Sequence, residues 1–570
     1  MRALSFLILL ISCSHQVKIV APTASEPRVA HEAKASFEMV TTQGDATTRA
    51  ALSTFTKGGN IIDAFVAASF AISVERPHST GIGGGGFLLF YSKEENKVYA
   101  FDFREVAPLK ATSKMYLTKK GEDSASLISE GCVLLLLIRV LLKAVYEIHR
   151  RFGKLPWSET ILPAIKLARD GFPLYDGLSE ALDKMKDVLQ KDPEALKTFY
   201  TEAGEVPLLG TMIYQENLAK TLERISEHGV DGFYKGPVAN AIIKTVNKKG
   251  GILSHKDLAS YKMIERTPVT GNYKGLKIFS MPPPSSGGIH VIQILKMLEP
   301  HKLKQYGPQS TEAVHFTALA MQRAFLDRAS YLGDPDFDSV PTAELLDETY
   351  LQRLSNSIKS PRAIPAENMK SIPLPYESPE TTHFTIADRE GNMVASTQTI
   401  NGWFGSGVMA QGTGIVLNNE MDDFAQKVGA QNLFGAVGGQ NNLIAPKKRP
   451  LSSMSPTIIT KDDGPFMALG SPSGTRIITC VAQTILNSTE FKMPLYEAVA
   501  ATRIHQQWKP DLLKIEAPYL DEKVEKELEE LGHNVERGRL GCSIQAIQKT
   551  KQGWHGVSDP RGTGLALGIN

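Results

Sequence analysis

The sequence predicts a chain of mixed helices and strands, the α+β class, on three observations. Residues 146–260 place apolar residues at three- and four-residue spacing, as in AIKLARDGF and LAKTLERISEHG, which is the period of a half-buried helix. A helix pattern apolar nearly all round, IIDAFVAASFAISV, is followed at once by two short β-rich runs. After residue 381 the text turns β-rich: HFTIAD and MVASTQTI flank Arg389-Glu390-Gly391-Asn392, a good hairpin turn. With 570 residues, 42% hydrophobic and 22% charged, the chain is ample for one large or two ordinary domains. A formal net charge of +2 gives no field that draws it to nucleic acid. A small molecule or another protein is the expected partner.

The N-terminus reads MRALSFLILLISCSH. Arg2 followed by a short apolar run has the form of an export signal rather than a bilayer span. Leu10-Ile11-Ser12-Cys13 resembles a bacterial lipobox, with Cys13 as the lipid-modified residue. The chain is therefore expected to be exported, and periplasmic or membrane-anchored through a lipid at Cys13. Residues up to about 37, rich in Ala, Pro and Ser, read as a linker.

Further along, Asn60 can cap a helix that carries Asp63 in its first turn, and Arg76-Pro77 ends it. Gly81, Gly83 and Gly86 fit G-x-G-x-x-G, but the order is helix, glycines, strand. A dinucleotide fingerprint requires the reverse. These glycines are expected instead to let the backbone approach another segment. FSMPPPSSGGIHVIQILKMLE gives a strand end, a rigid turn and a helix, and TEAVHFTALAMQRAFLDRASYLG a long helix. His290 and His315 lie in apolar stretches and read as core residues, with no second ligand at metal spacing. Besides Cys13 there are Cys132, Cys480 and Cys542; three such scattered cysteines read as buried side chains, not as a disulfide framework.

A proline-rich stretch from 360 leads to Thr381-Thr382 at the mouth of a strand. A threonine hydroxyl needs a base within reach to act as a nucleophile, and the chain contains no G-x-S-x-G elbow. His383 reads as structural. If the bond before Thr381 were cut, its own α-amine, with a pKa near 7.7 to 8, would supply that base. The same hydroxyl is placed to make the cut by attacking the Glu380 carbonyl.

TTHFTIADREGN, TQTIN, LNNEMDDF, KRPLSSMSPTI and GSPSGTRII follow one another in one order. With GGNIIDAFVA, DFREVAP, the PPPSSGG turn and the terminal SDPR they closely resemble γ-glutamyltransferases (γ-glutamyl transpeptidases), from about residue 40 to 562. These are N-terminal-nucleophile hydrolases, made as one precursor and self-cleaved into two chains. The resemblance implies a four-layer αββα sandwich. It implies residues 1–37 as signal or lipoprotein segment and linker, 38–380 as a large subunit and 381–570 as a small one, paired as a heterodimer. Thr381 is then the nucleophile and Thr399 a hydroxyl that orients it. Arg104 grips the α-carboxylate of a γ-glutamyl head, with Ser452 and Ser453 as further donors. Glu420 and Asp423 receive its α-ammonium, with Asn401 helping. Backbone N–H groups near Ser473 and Gly474 form the oxyanion hole. Glutathione or a similar compound is the donor, and an amino acid, a dipeptide or water the acceptor. Neither cofactor nor metal is called for.

Three departures from that family stand out. Ser473 replaces a usual glycine, which leaves an oxyanion N–H in place only at negative φ. Phe434 stands where bacterial relatives often carry tyrosine on a lid loop. The apolar block at 124–147 replaces a Gly- and Pro-containing segment; it is either a buried helix or a frame change in the coding sequence. A related cephalosporin or glutaryl acylase, and an unprocessed, inactive binding lipoprotein, are the alternative readings.

Overall fold

The β-rich runs assemble into two seven-stranded antiparallel sheets. A computed structural model describes residues 30–115, 141–369, 381–425 and 440–570. In chain order the strands are β1 (Glu32–Ala35), β2 (Met39–Thr42), β3 (Gly85–Ser92), β4 (Lys97–Phe103), β5 (Ile264–Arg266), β6 (Val269–Tyr273), β7 (Leu276–Ser280), β8 (Thr382–Ala387), β9 (Met393–Thr399), β10 (Thr457–Lys461), β11 (Gly464–Gly470), β12 (Gln545–Thr550), β13 (Gly553–Ser558) and β14 (Leu565–Gly568). One sheet has the order β1-β13-β12-β11-β10-β7-β6, the other β14-β2-β8-β9-β3-β4-β5.

Helices close the outer face of each sheet. Asp45–Thr56 (α1), Ile61–Glu75 (α2), Leu141–Phe152 (α3), Trp157–Asp170 (α4) and Glu216–His228 (α5) share a core with Leu88, Phe90, Phe384, Ile386 and Val394 of the second sheet. Gly287–Leu298 (α6), Thr311–Tyr331 (α7) and Arg476–Thr489 (α8) pack on the first sheet, in the core that also holds Met39, Leu89 and Met393 of the second. The result is the expected αββα layering. Every residue of α2 is buried, and Asn60 and Asp63 close its N-terminus as a reciprocal capping box, as the sequence suggested.

Alternation along β8 decides which side chains face the gap between the sheets. Phe384 and Ile386 point to the helices. Thr385 on the other face donates to the carbonyl of Gln545, 3.1 Å away in the opposite sheet, and a Cβ on Gly470 would lie 2.3 Å from the His383 ring. Thr381, two residues before His383, falls on that same inter-sheet face. The boundary at 381 does not divide the fold, because β8 and β9 lie between β2 and β3 in the middle of one sheet.

Two expectations are corrected here. The linker expected to run to about residue 37 ends earlier, since β1 pairs with β13 along Glu32–Ala35; edge pairing satisfies backbone groups whatever the composition. Cys480 and Cys542 are not separate buried thiols but a disulfide, joining α8 to the segment before β12. Sequence spacing carries no information on that proximity, which the sheet packing creates. Cys13, Cys132, Phe434 and Glu380 lie outside the described residues, as does most of the block at 124–147; its end from Leu141 is the buried start of α3. None of the described helices is long and apolar enough to cross a membrane.

Candidate active site

The β8–β9 hairpin pairs Thr382 with Gln398. One step further, that register sets Thr381 opposite Thr399. Thr381 directly precedes β8 and Thr399 ends β9; both are odd-numbered like His383 and Thr397, which face the gap between the sheets, so continuing the register makes them cross-strand neighbours. Thr381 is 6% exposed and Thr399 3%. The glycine run stands directly behind them: a Cβ on Gly84 would lie 2.0 Å from the Thr399 carbonyl oxygen, and one on Gly86 2.2 Å from that of Thr397. These glycines serve close backbone approach, as expected, and hold β3 against β9 at the nucleophile end.

His383 is buried between Thr397, 2.8 Å away, and Thr385, at 3.1 Å. Burial pulls its pKa down to about 3, so it is a neutral structural group. His290 is likewise buried, hydrogen-bonded to Gln293 and neutral. His315 pairs with His533 at 2.8 Å. Among the described residues no cluster of His, Cys, Asp and Glu could hold a metal ion.

From Thr399 a short chain of contacts leads away along the loop after β9. The Thr399 hydroxyl accepts the N–H of Asn401 at 2.7 Å, and the Asn401 amide donates to the Asn419 carbonyl at 3.1 Å. Glu420 follows, opening a turn of 3-10 helix at Glu420–Asp423. Here Arg104, at the end of β4, forms ion pairs with Glu420 and Asp423. Glu105 is 3.7 Å from the same guanidinium. Arg104 and Glu105 are therefore not a surface pair; both are buried. Three carboxyl groups crowd one cation. Burial alone would lower the Arg104 pKa, but Glu420, Asp423 and Glu105 outweigh it and raise it. Burial pushes Glu105 up to about 7 against the pull of Arg104, and raises Glu420 well above the usual carboxylate range. Glu105 is the residue the sequence reading missed; its adjacency to Arg104 in DFREVAP was the available signal.

Ser452 and Ser453 stand on the segment that passes Arg104, whose Nε lies 3.5 Å from the Pro450 carbonyl. The PPPSSGG turn holds this segment: Ser452 N–H donates to Pro284, and its carbonyl accepts from the N–H and hydroxyl of Ser286. Arg328 of α7 donates to the Ser453 hydroxyl at 3.0 Å. An arginine cannot accept, so the Ser453 proton is turned toward some other acceptor. Arg328 had no sequence signal beyond its place in a helix.

Ser473 and Gly474 lie between β11 and α8, and Pro472 of that loop and Arg476, the first residue of α8, share a cavity of about 780 Å³ with Thr381. Ser473 has φ 107° and Gly474 φ 52°, so the expected need for a negative φ at Ser473 is corrected: its backbone takes a positive-φ conformation that a glycine adopts freely, and its N–H points as a glycine's would at that φ. The strained conformation is held by the Ser473 hydroxyl, which donates to the Leu540 carbonyl at 2.5 Å. Such strain concentrates where the surroundings over-determine the backbone.

Residues 47–569 match the family model described as Gamma-glutamyltranspeptidase. The chain is similar to the glutathione hydrolase proenzyme of Escherichia coli (strain K12), 41% identical over 547 residues, which are 94% of this chain and 92% of the relative. Among solved structures it resembles the gamma-glutamyltranspeptidase of Helicobacter pylori, with TM-score 0.55 and 37% identity over 57% of this chain and 93% of that one. The cephalosporin acylase from Bacillus halodurans shares the fold, with TM-score 0.81 and 24% identity over 96% of this chain and 99% of that one.

Proposed function

The chain belongs to the γ-glutamyltranspeptidase family, and we propose that Thr381 is the nucleophile through which it acts. Its reaction is γ-glutamyl transfer or hydrolysis. The observation that supports the assignment of Thr381 is its place directly before the Thr382–Gln398 pair of the β8–β9 hairpin, on the wall of the cavity of about 780 Å³.

The precursor is cut between Glu380 and Thr381, giving a large subunit of residues 38–380 and a small one of 381–570. The Thr381 hydroxyl then attacks the γ-carbonyl of glutathione or a related donor while its α-amine takes the proton. Backbone N–H groups of Ser473 and Gly474 stabilise the oxyanion. The amine returns the proton to the departing nitrogen, leaving a γ-glutamyl ester on Thr381. Water, an amino acid or a dipeptide enters and repeats the steps in reverse order. Arg104 takes the substrate's α-carboxylate through its planar fork, aided by Ser452 and Ser453. Glu420 and Asp423, with Asn401, take its α-ammonium. A zwitterionic head thus enters a cluster that already carries both signs of charge, each half exchanging one ion pair for another.

Export supports and is supported by the Cys480–Cys542 bond, since disulfides persist in oxidising compartments. The mature protein is periplasmic or held to a membrane by a lipid on Cys13. The acylase alternative lacks a use for the paired charges, because a glutaryl group has no α-ammonium. Turnover of γ-glutamyl- against glutaryl-p-nitroanilide tests the assignment. Preference for the γ-glutamyl compound by two orders of magnitude or so is expected of a site built for the ammonium; equal rates would return the acylase reading.

A further inference from the structure

The cavity beside Thr381 is lined by charged residues that neutralise one another, and by a set of donors that do not. Lys184 pairs with Glu180 at 2.6 Å, and Arg539 lies 3.5 Å from Glu180. Arg561 spends its donors on the carbonyls of Val499, Ala500, Ala501 and Ala517 and on Asp559. Arg76 is different. Its Nη1 reaches the Gln43 carbonyl at 3.3 Å and its Nη2 lies 3.2 Å from Nε2 of His78, while its Nε has no hydrogen-bond partner.

That contact fixes the histidine. A guanidinium only donates, so Nε2 of His78 accepts and the ring proton sits on Nδ1. Nδ1 is also without a partner, in a side chain 2% exposed. Burial and the Arg76 charge hold His78 far below the usual imidazole pKa, so it stays a neutral donor. The indole N–H of Trp403, on the same cavity, is unpartnered too. Three orphan N–H groups on one cavity are unusual, because a buried donor left unsatisfied is costly. An anion is the ligand that could accept from such N–H groups.

Position selects which anion. Arg76 contacts the main chain of Gln43, and the side chain of Gln43 accepts from the Thr382 hydroxyl at 3.0 Å and the His383 N–H at 2.9 Å. Arg76 is thus linked through Gln43 to the residue that follows the nucleophile. Arg104, Glu420 and Asp423 do not line this cavity, so it is separate from the cluster assigned to the γ-glutamyl head. We propose that Arg76, His78 and Trp403 form a carboxylate subsite, which takes the free carboxylate of the amino acid or short peptide on the amine side of the scissile amide. This rests on the function proposed above. The departing and entering amines use one place, because the second half-reaction reverses the first. A volume of about 780 Å³ accommodates a dipeptide.

The test compares two donors in each variant: glutathione, whose leaving group ends in a carboxylate, and γ-glutamyl-p-nitroanilide, whose leaving group has none. In Arg76→Gln and His78→Leu the ratio of kcat/KM for glutathione to that for the anilide is expected to fall roughly tenfold or more, as when a site loses a polar partner for its substrate. His78→Asn, which still donates, restores most of the ratio. Transfer to glycylglycine over glycylglycine amide should lose its preference in parallel. Equal losses on both donors, or an unchanged ratio in variants that turn over, would overturn the subsite. A wild-type protein inactive on both donors would overturn the function it rests on.

Discussion

Thr382 and Gln398 form the last pair of the β8–β9 hairpin, with Thr381 and Thr399 the next residue along each chain, and the Thr399 hydroxyl is tied to the Asn401 N–H at 2.7 Å. The hairpin thus brings a second threonine to the same end as the first, and Asn401 links it to the loop that carries Glu420.

If Thr399 orients Thr381, Thr399→Ala should lower kcat by about 10²-fold through misplacement of the nucleophile, with KM little changed. Thr399→Ser should recover most of the loss. Steady-state kinetics with a γ-glutamyl anilide read both numbers.

The cluster around Arg104 has a stability consequence as well as a binding one. Arg104→Gln removes the cation shared by Glu420, Asp423 and Glu105. Leaving buried carboxyl groups without their partner costs about 3–5 kcal/mol, part of it relieved by protonation. The urea midpoint of Arg104→Gln should fall accordingly, and Arg104→Lys should fall less while still raising KM.

Ser473 sits at φ 107°, where a side chain is strained and glycine is not. Ser473→Gly gives up the bond to Leu540 but relieves that strain, two effects of about 1 kcal/mol each. Stability and kcat should stay near those of the parent. Ser473→Val adds a β-branched side chain at positive φ, loses the bond and shifts the N–H; kcat should drop by about 10²-fold. Thermal melts and kinetics on the two variants check the contrast.

Burial lifts Glu105 to about 7 and Glu420 well above its ordinary range. Below that pH Glu105 is neutral and draws a substrate ammonium weakly; as pH rises through about 7 it ionises and binding strengthens. KM for the donor should therefore fall between about pH 6 and pH 8, within the range in which buried carboxyl groups titrate. Glu105→Gln should flatten this limb, read from KM against pH.

Much of the layered fold was legible because its elements carry strong local signals. The Asn60–Asp63 capping box, the apolar α2 and the hairpin turn at 389–392 each specify structure within a few residues. The sandwich itself came from resemblance, because strand order is set by contacts far apart in sequence. That same distance hid three features. Cys480 and Cys542 meet only through packing of α8 against the first sheet. Arg328 reaches Ser453 across 125 positions. The donors of Arg76, His78 and Trp403 converge on a cavity that no local pattern announces. Ser473 failed differently: the sequence showed the unusual residue, but the sign of φ belongs to the backbone around it.

The central claim is that Thr381 becomes an N-terminal nucleophile. A denaturing gel of the purified protein beside Thr381→Ala, with N-terminal sequencing of every band, tests it most directly. The account predicts two chains from the wild type, the smaller beginning Thr-Thr-His-Phe, and one intact chain from Thr381→Ala. A wild type that stays intact, or a cut at any other bond, would contradict it.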